Sequence, residues 1–318
     1  MHYSTEPMHI PDGFLSVAVS VFLWMVSIFV IAYSLRRVSK DMDERKVPLM
    51  GVLAAAIFAG QMLNFTVAGG TSGHLMGAAL ATILLGPWAA ILVMTCVVGI
   101  QALIFQDGGL LALGANIFNM GVIGVAVSYT AYHALLKLSG GKTWGIFAGG
   151  FTAGWLSVFV TSLAVALQLA LSGTSPANIA IPAMGGVHAV IGIGEGLVTV
   201  GALGLIYATR PDLLKVGTAP ATGGWAVWIS GLLVALALVI ASPLASAHPD
   251  GLEWVAGQKG FLDTAQEPIY RIIPDYLIPG VSGKAAATIL AGIVGTLIVF
   301  GVALAVAYTR RARRSAGE

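Results

Sequence analysis

The chain has 318 residues, of which 57% are hydrophobic and only 9% charged, and its formal net charge is +2 at pH 7. Soluble domains carry about 25% charged residues, so this composition excludes a soluble globular protein and indicates one that lies in a lipid bilayer. The small net charge gives no reason to expect a nucleic-acid partner. The single cysteine, Cys96, excludes an intrachain disulfide.

Nine apolar runs follow one another along the chain, and we predict a helix in each, because about 20 apolar residues in a helix cross a bilayer. The runs are residues 14–35, 47–63, 75–85, 88–105, 110–136, 144–171, 181–209, 225–245 and 285–308. The first run has no basic segment before it and no small-residue cleavage site after it, so we expect it to be retained as a helix. The predicted fold is an all-α, polytopic membrane helix bundle.

The positions of Lys and Arg predict the orientation, because basic residues are retained on the cytoplasmic side of a membrane. With the amino terminus outside, thirteen of the sixteen basic residues fall in predicted cytoplasmic segments. These residues are Arg36, Arg37, Lys40, Arg45, Lys46, Lys137, Lys142, Arg210, Lys215, Arg310, Arg311, Arg313 and Arg314. We therefore expect the amino terminus outside and the carboxyl terminus in the cytoplasm.

A break in composition at residues 211–224 divides the chain into two predicted parts. Residues 1–215 contain about seven helices, and residues 216–318 contain two helices joined by a polar outer loop, residues 246–283. The loop holds five acidic residues. It is either a solvated loop or a region whose negative field attracts cations.

The segment 64–74 is rich in glycine and small polar residues and precedes the shortest apolar run. Non-helical backbone at membrane depth persists only where protein or a watered cavity satisfies it, so we predict that this segment dips inward from the outer face. His74 ends the segment. It is either a metal ligand or a histidine that bonds its own loop, and the cost of ionisable groups at membrane depth favours the ligand.

Two more polar residues lie in the seventh predicted helix. His188 is near the outer face and is either part of a metal site or a structural partner of Glu195. We interpret Glu195 as a group that holds a histidine or a break in the backbone. With Ser72 in the sequence GTSG, His188 also suggests a different hypothesis, an intramembrane serine hydrolase, which requires the two side chains within hydrogen-bonding reach.

The dipeptide Met-His occurs twice near the start, at residues 1–2 and 8–9. A free amine one residue before a histidine is a chelator, because the amine, the intervening amide nitrogen and the imidazole Nδ1 close two rings around a small cation. We expect translation to begin at Met8, which would give this amine to Met8. If it begins at Met1, the amine either is lost, so that only imidazoles remain and binding is weaker, or comes from Met1, with His2 displacing His9 from the site.

Several ordered motifs carry a resemblance to a known family. They are MHIPDGFLS at 8–16, GGTSGHL at 69–75, DGGL at 107–110, LGANIFNM at 113–120 and the stretch 188–199. In these residues the chain resembles the CbiM/NikM substrate-binding component of energy-coupling factor transporters for cobalt or nickel. The sequence PDGLE at 249–253 resembles the small N component of the same systems.

The resemblance implies a metal-capturing subunit in a prokaryotic cell membrane that is not itself an enzyme. It implies no catalytic cofactor, and Co²⁺ or Ni²⁺ would be bound as the transported substrate. The implied partners are a transmembrane coupling protein and cytoplasmic ATPase subunits, which hydrolyse the ATP. This chain has no phosphate-binding loop of its own, because Leu136 stands where that loop requires glycine before Gly141 and Lys142.

The resemblance also implies a planar nitrogen site for the metal. Its ligands would be the amine of Met8, the amide and imidazole of His9, and the imidazole of His74. Four nitrogens in a plane suit Ni(II), Cu(II) or low-spin cobalt, whereas zinc prefers a tetrahedron and should compete poorly. The candidates for residues around these ligands are Asn64, Ser72, His188 and Glu195.

Overall fold

The computed structural model describes residues 8–41, 46–67, 69–214 and 224–315. Its α-helices are α1 (Val17–Asp41), α2 (Lys46–Gln61), α3 (Ala78–Leu85), α4 (Pro87–Ile100), α5 (Leu113–Asn116), α6 (Gly124–Leu138), α7 (Thr143–Leu171), α8 (Ala177–Thr209), α9 (Gly224–Ala241), α10 (Gly251–Lys259) and α11 (Lys284–Ser315). Two π-helical turns, Gln101–Phe105 and Ile117–Ile123, extend α4 and join α5 to α6. A helix lies in each of the nine predicted runs.

Six helices in the described ranges are long and apolar enough to cross a membrane. These spans are Val17–Val38, Pro87–Phe105, Leu113–Leu138, Thr143–Leu171, Ala177–Thr209 and Lys284–Ala312, and two shorter apolar helices cover Lys46–Gln61 and Trp228–Leu244. Large apolar side chains on α1, such as Phe22 and Phe29, are exposed, as expected for a lipid-facing surface. The predicted all-α, polytopic membrane bundle is confirmed.

The third predicted helix is too short to cross a membrane by itself, and this corrects the expectation of a helix of spanning length in each of the nine runs. Helix α3 has eight residues, which at 1.5 Å per residue extend about 12 Å. The predicted inward loop before it contains an antiparallel hairpin of β1 (Phe65–Val67) and β2 (Thr71–Gly73). The hairpin takes up the chain that a longer helix would need, so α3 begins only after the hairpin has ended.

Close packing of helices positions the walls of the bundle. Helices α7 and α8 meet at glycines, since a Cβ at Gly196 would lie 2.7 Å from Phe151 and one at Gly192 would lie 3.0 Å from Trp155. Such small residues let helix backbones approach each other in a membrane. The C-terminal helices α9 and α11 pack on α2, where a cluster of small apolar side chains is buried, namely Ala55, Ala59, Ala235 and Val239.

The predicted boundary between residues 215 and 216 lies outside the described residues. The predicted polar outer loop is more ordered than a plain loop, because it contains α10 and several short 3-10 turns. Asp250 caps α10 by accepting a hydrogen bond from the Glu253 backbone N–H at 2.8 Å. We call residues 224–315 the tail and residues 242–283 its outer segment.

Candidate metal centre

The N-terminal segment, residues 8–16, is held by the chain that follows α4. The Asp12 carboxylate accepts from the backbone N–H groups of Leu110 at 3.0 Å and Ala112 at 2.9 Å. Asn116 exchanges two hydrogen bonds with the backbone of Ile10, at 3.0 and 3.1 Å. These contacts use polar residues of the MHIPDGFLS, DGGL and LGANIFNM motifs and fix the backbone on either side of residue 9.

His9 is bound to Asp107 by two hydrogen bonds to the same oxygen. Asp107 Oδ1 accepts from the backbone N–H of His9 at 3.2 Å and lies 3.0 Å from its Nδ1. The two side chains are almost fully buried, at 4% and 3% exposure. A Cβ at Gly108, whose φ is 93°, would lie 2.9 Å from the Cβ of His9, so glycine at this position permits the close approach.

The His9–Asp107 contact determines the charge state of both groups. Burial lowers the pKa of His9, but the charge and hydrogen bonds of Asp107 outweigh burial and raise that pKa above its ordinary value. Burial raises the pKa of Asp107, and the charge and hydrogen bond of His9 reverse this effect, so the carboxyl pKa is lowered. The contact therefore favours an imidazolium beside a carboxylate over two neutral groups when no other cation is bound.

His74 faces His9 across a small gap. The ring centroids are 5.7 Å apart, with an interplanar angle of 68°. His74 Nδ1 donates to the Leu75 carbonyl at 3.0 Å. Burial and the nearby charge of His9 lower the pKa of His74, so this imidazole is neutral at pH 7 and can act as a ligand.

His188 is the third histidine at the cavity, and it resembles the other two in the contact that its Nδ1 makes. Its Nδ1 donates to the Met184 carbonyl at 2.8 Å, so each of the three rings has an oxygen acceptor at Nδ1. This arrangement fixes the tautomer and leaves Nε2 with a free lone pair once any extra proton is lost. Nε2 of His9 is buried and has no hydrogen-bond partner among the described residues. The orphaned nitrogen is the one that a metal would satisfy.

The histidines line a cavity of about 100 Å³. This volume is far below the roughly 300–1,000 Å³ of pockets for organic ligands. Asn119 lines the cavity, and its side chain exchanges hydrogen bonds with Gln168 at 2.8 and 2.6 Å. The other polar lining includes Thr161, Ser162 and Asp250. The cavity suits an ion with its ligands and excludes a larger substrate.

Within the described ranges, no three His, Cys, Asp or Glu side chains converge closely enough to hold a metal ion. A metal between His9 and His74 would therefore need further donors of another kind, such as backbone nitrogen, an amine or water. The backbone nitrogen and Nδ1 of His9 do converge, because both contact Asp107 Oδ1. The backbone nitrogen and Nδ1 of His9 therefore face a common position, as they must to form a chelate ring with one metal ion. Residues 1–7, and with them Met1 and His2, lie outside the described residues.

Three of the four predicted surrounding residues, Asn64, Ser72 and Glu195, do not line the cavity. Glu195 accepts from the backbone N–H groups of Met76 at 2.7 Å and Gly77 at 3.0 Å, and so holds the backbone break that precedes α3. The backbone carbonyl of Asn64 accepts from the N–H of Ser246 at 2.8 Å.

Ser72 and His188 do not form a catalytic pair. The Ser72 hydroxyl donates to the His248 carbonyl at 2.8 Å, and His188 Nδ1 is engaged by Met184. A serine hydrolase needs its nucleophile bonded to its base, and the contacts of these described residues provide no such bond. Ser72 instead joins the hairpin to the tail, since its backbone N–H also donates to the Pro249 carbonyl at 2.8 Å.

Sequence reasoning missed two carboxylates and a tyrosine near the cavity. Asp107 stands in the DGGL motif, and an acidic residue directly after an apolar run was the signal that could have identified it. Asp250 lines the cavity, and burial raises the pKa of its carboxyl to about 7. Tyr276, from the outer segment of the tail, donates to Asp107 Oδ2 at 2.6 Å, and no pattern in the sequence pointed to it.

A membrane bundle with a small, buried, histidine-lined cavity defines a multi-pass membrane protein whose site is sized for an ion. Residues 9–213 match the CbiM family, described as the cobalt uptake substrate-specific transmembrane region, and residues 225–312 match the PDGLE domain. The chain belongs to the CbiM family and carries a PDGLE part after it.

Similar proteins agree with this assignment. The chain is 38% identical over 309 residues to a protein of Archaeoglobus fulgidus provisionally named as a fused nickel transport protein, NikMN, a match that covers 96% of this chain and 99% of that protein. It is 36% identical over 213 residues to the cobalt transport protein CbiM of Sorangium cellulosum, covering 65% of this chain and 94% of that protein. A crystal structure of a transition metal transporter has 34% identity and a TM-score of 0.57, covering 65% of this chain and 97% of the other.

Proposed function

We propose that this chain is the metal-capturing membrane subunit of an energy-coupling factor importer for Co²⁺ or Ni²⁺. The similar proteins support a metal cargo, because their names include cobalt and nickel transport. The observation that carries the proposal is the buried, unpartnered Nε2 of His9 beside His74. A buried polar nitrogen without a partner is costly, and a bound cation would remove that cost.

The proposed ligands are His9 and His74, with nitrogen from the backbone at residues 8 and 9. Two modes are open to His9. In one, Nε2 binds the metal while Asp107 stays on Nδ1. In the other, the amide nitrogen and Nδ1 bind the metal, which takes the position of Asp107 Oδ1, and a free amine at Met8 completes the plane. The second mode requires a protein that begins at Met8.

The metal type follows from the donor set. Imidazole and amide nitrogens in a plane suit Ni(II), Cu(II) or low-spin cobalt. Zinc prefers four tetrahedral ligands, so it is expected to bind less tightly than nickel if the planar set forms. His188 supplies an imidazole to the cavity wall.

The proposal extends to the assembly and its orientation. We place the cavity on the outer side and the ends of α1, α6 and α8, which carry basic residues, on the cytoplasmic side of a prokaryotic membrane. A transmembrane coupling protein and cytoplasmic ATPases would supply the energy that reorients this subunit and releases the ion.

Metal content tests the proposal. The full chain is purified in detergent, incubated with Ni²⁺ or Co²⁺, desalted and assayed for metal and protein. We expect one metal ion per chain, and less than a tenth of that in His9→Ala and His74→Ala. The matched control is His133→Ala, because His133 Nδ1 also bonds a carbonyl, that of Tyr129, at 2.8 Å, on an exposed part of α6. Equal metal in all four proteins would refute the proposal.

A further inference from the structure

The tail contacts the proposed site through the side-chain hydroxyl of Tyr276. Tyr276 Oη donates to Asp107 Oδ2 at 2.6 Å, while Asp107 Oδ1 contacts His9 Nδ1 at 3.0 Å. The two oxygens of one carboxylate are thus divided between the tail and the N-terminal segment. Only this carboxylate separates Tyr276 from a proposed metal ligand.

Packing places the Tyr276 ring independently of its hydroxyl. The ring stacks on Phe105, with centroids 4.7 Å apart and an interplanar angle of 12°, and it also contacts Phe58 at 6.1 Å. A phenylalanine at position 276 would keep both contacts. Removal of the oxygen therefore tests the hydrogen bond without removing the ring.

The backbone on both sides of the contact is strained. Among the described residues, three that are not glycine have a positive φ, and all three adjoin or form this contact. They are Gln106 at 56°, Asp275 at 55° and Tyr276 at 55°. Such conformations are costly for residues with side chains and persist where the surroundings enforce them, often at functional sites. Strain on both partners indicates that the fold holds this particular contact in place.

Polar side chains also lie between Tyr276 and the other half of the site. Gln101 is a polar neighbour of the same hydroxyl, and its Nε2 donates to Gln61 Oε1 at 2.8 Å. Gln61 Nε2 donates in turn to the Met76 carbonyl at 2.9 Å, two residues after His74. Both glutamines are completely buried. A row of neighbouring polar side chains therefore runs from His9 through the tail to the segment that carries His74.

We propose that Tyr276 is a positioning residue for metal binding, because its hydroxyl fixes the Asp107 carboxylate that in turn fixes the His9 imidazole. This inference rests on the proposed function in its first mode, in which Nε2 of His9 binds the metal and Asp107 stays on Nδ1. A carboxylate bonded to a ligating imidazole sets its orientation and basicity. A carboxylate held at both oxygens cannot turn away without losing a bond. The tail thus supplies part of the binding site.

The test is Tyr276→Phe in the full chain, reconstituted in lipid nanodiscs. Ni²⁺ affinity is measured by competition with a chromophoric chelator, and the ligand-field absorption band of bound Ni²⁺ is recorded. We expect affinity to fall by about 10- to 100-fold, as when the partner of a ligating histidine is lost, and the band to shift. The matched control is Tyr270→Phe, which removes an exposed hydroxyl of the same segment that donates to the Leu103 carbonyl at 2.9 Å. It should leave affinity and band unchanged.

A double-mutant cycle separates positioning from a general loss of packing. If Tyr276 acts through Asp107, adding Tyr276→Phe to Asp107→Asn should change the affinity by less than about twofold, because groups in one network are not additive. Losses that multiply, or a Tyr276→Phe protein with unchanged affinity and band, would overturn the inference. If Tyr276→Phe does not fold, Asp107→Asn carries the test, and an unmoved Ni²⁺ band would overturn it.

The outcomes also distinguish this inference from the proposed function. If wild-type protein and the His9→Ala and His74→Ala variants bind Ni²⁺ equally, the proposed site itself is wrong. If binding requires both histidines but is indifferent to Tyr276, only the positioning role is wrong.

Discussion

His9 and His74 face the same cavity but are held in different ways. His9 Nδ1 is bonded to the carboxylate of Asp107, which is itself held by the tail. His74 Nδ1 is bonded to the carbonyl of the next residue, Leu75. The pKa of the first imidazole is raised by the negative charge of its partner, and the pKa of the second is lowered, chiefly by burial.

The comparison shows how two residues of one type can take different roles in one site. His74 is a neutral imidazole whose orientation depends on its own loop. Protonation of His9 is favoured by Asp107, and the orientation of His9 depends on contacts from distant parts of the chain. Metal binding at His9 must therefore displace a proton and preserve a set of long-range contacts.

The largest loss of Ni²⁺ affinity is expected for a substitution at Asp107, the partner of His9. Asp107→Asn removes the charge behind His9 and leaves the partner of His74 untouched, so Ni²⁺ affinity at pH 8 should fall by about 10- to 100-fold. Competition titration gives this value. Asp263→Asn, in an exposed part of the outer segment, is the control and should bind like wild type. An Asp107→Asn protein with wild-type affinity at pH 8 would show that the carboxylate plays no part in binding.

Acidification should weaken metal binding through His9 before it affects His74. Below the raised pKa of His9, each bound metal displaces one proton, so affinity should fall by about tenfold per pH unit. Above that pKa the affinity should level off. In Asp107→Asn the raising charge is gone, and the fall should begin at a lower pH. A pH profile that is flat between 5.5 and 8 in wild type would contradict the protonated state assigned to His9.

A smaller effect is expected on the His188 side, where the tail closes the cavity. A Cβ at Gly251 would lie 2.6 Å from Ile191 Cδ1 and 2.8 to 2.9 Å from the imidazole of His188, so Gly251→Ala should displace both side chains and weaken Ni²⁺ binding by about 2- to 10-fold. Gly257→Ala in the same helix meets nothing nearer than 4.0 Å and is the control. If both variants bind alike, His188 has no influence on the metal.

The smallest effect is expected at Ser72, which contacts the tail rather than either histidine. Ser72→Ala removes the hydroxyl that donates to His248 but keeps the backbone bond to Pro249. Metal affinity should stay within about threefold of wild type, and the midpoint of thermal unfolding should fall slightly because one hydrogen bond is lost. A loss of binding as large as that of His74→Ala would place Ser72 in the metal site itself.

The helices were predictable from the sequence because apolar runs of membrane length are a strong local signal. The third helix was predicted too long, because the pattern of apolar residues does not report where a buried hairpin ends. His74 and His9 stood out since ionisable residues are rare in such a chain. Asp107 and Tyr276 could not be paired in advance, because the pairing depends on how residues 169 positions apart meet in the fold. Glu195 shows the opposite case, in which a conspicuous buried carboxylate binds backbone N–H groups of Met76 and Gly77.

The most direct test of the account is the intact mass of the purified protein under native conditions, with its metal bound. The measurement is made on wild type and on a His9→Ala/His74→Ala double variant after loading with Ni²⁺. The account predicts one Ni²⁺ per wild-type chain and none on the double variant, and the same spectrum gives the amino-terminal residue and hence whether a Met8 amine is available. One Ni²⁺ per chain on the double variant would contradict the claim that these two histidines hold the metal.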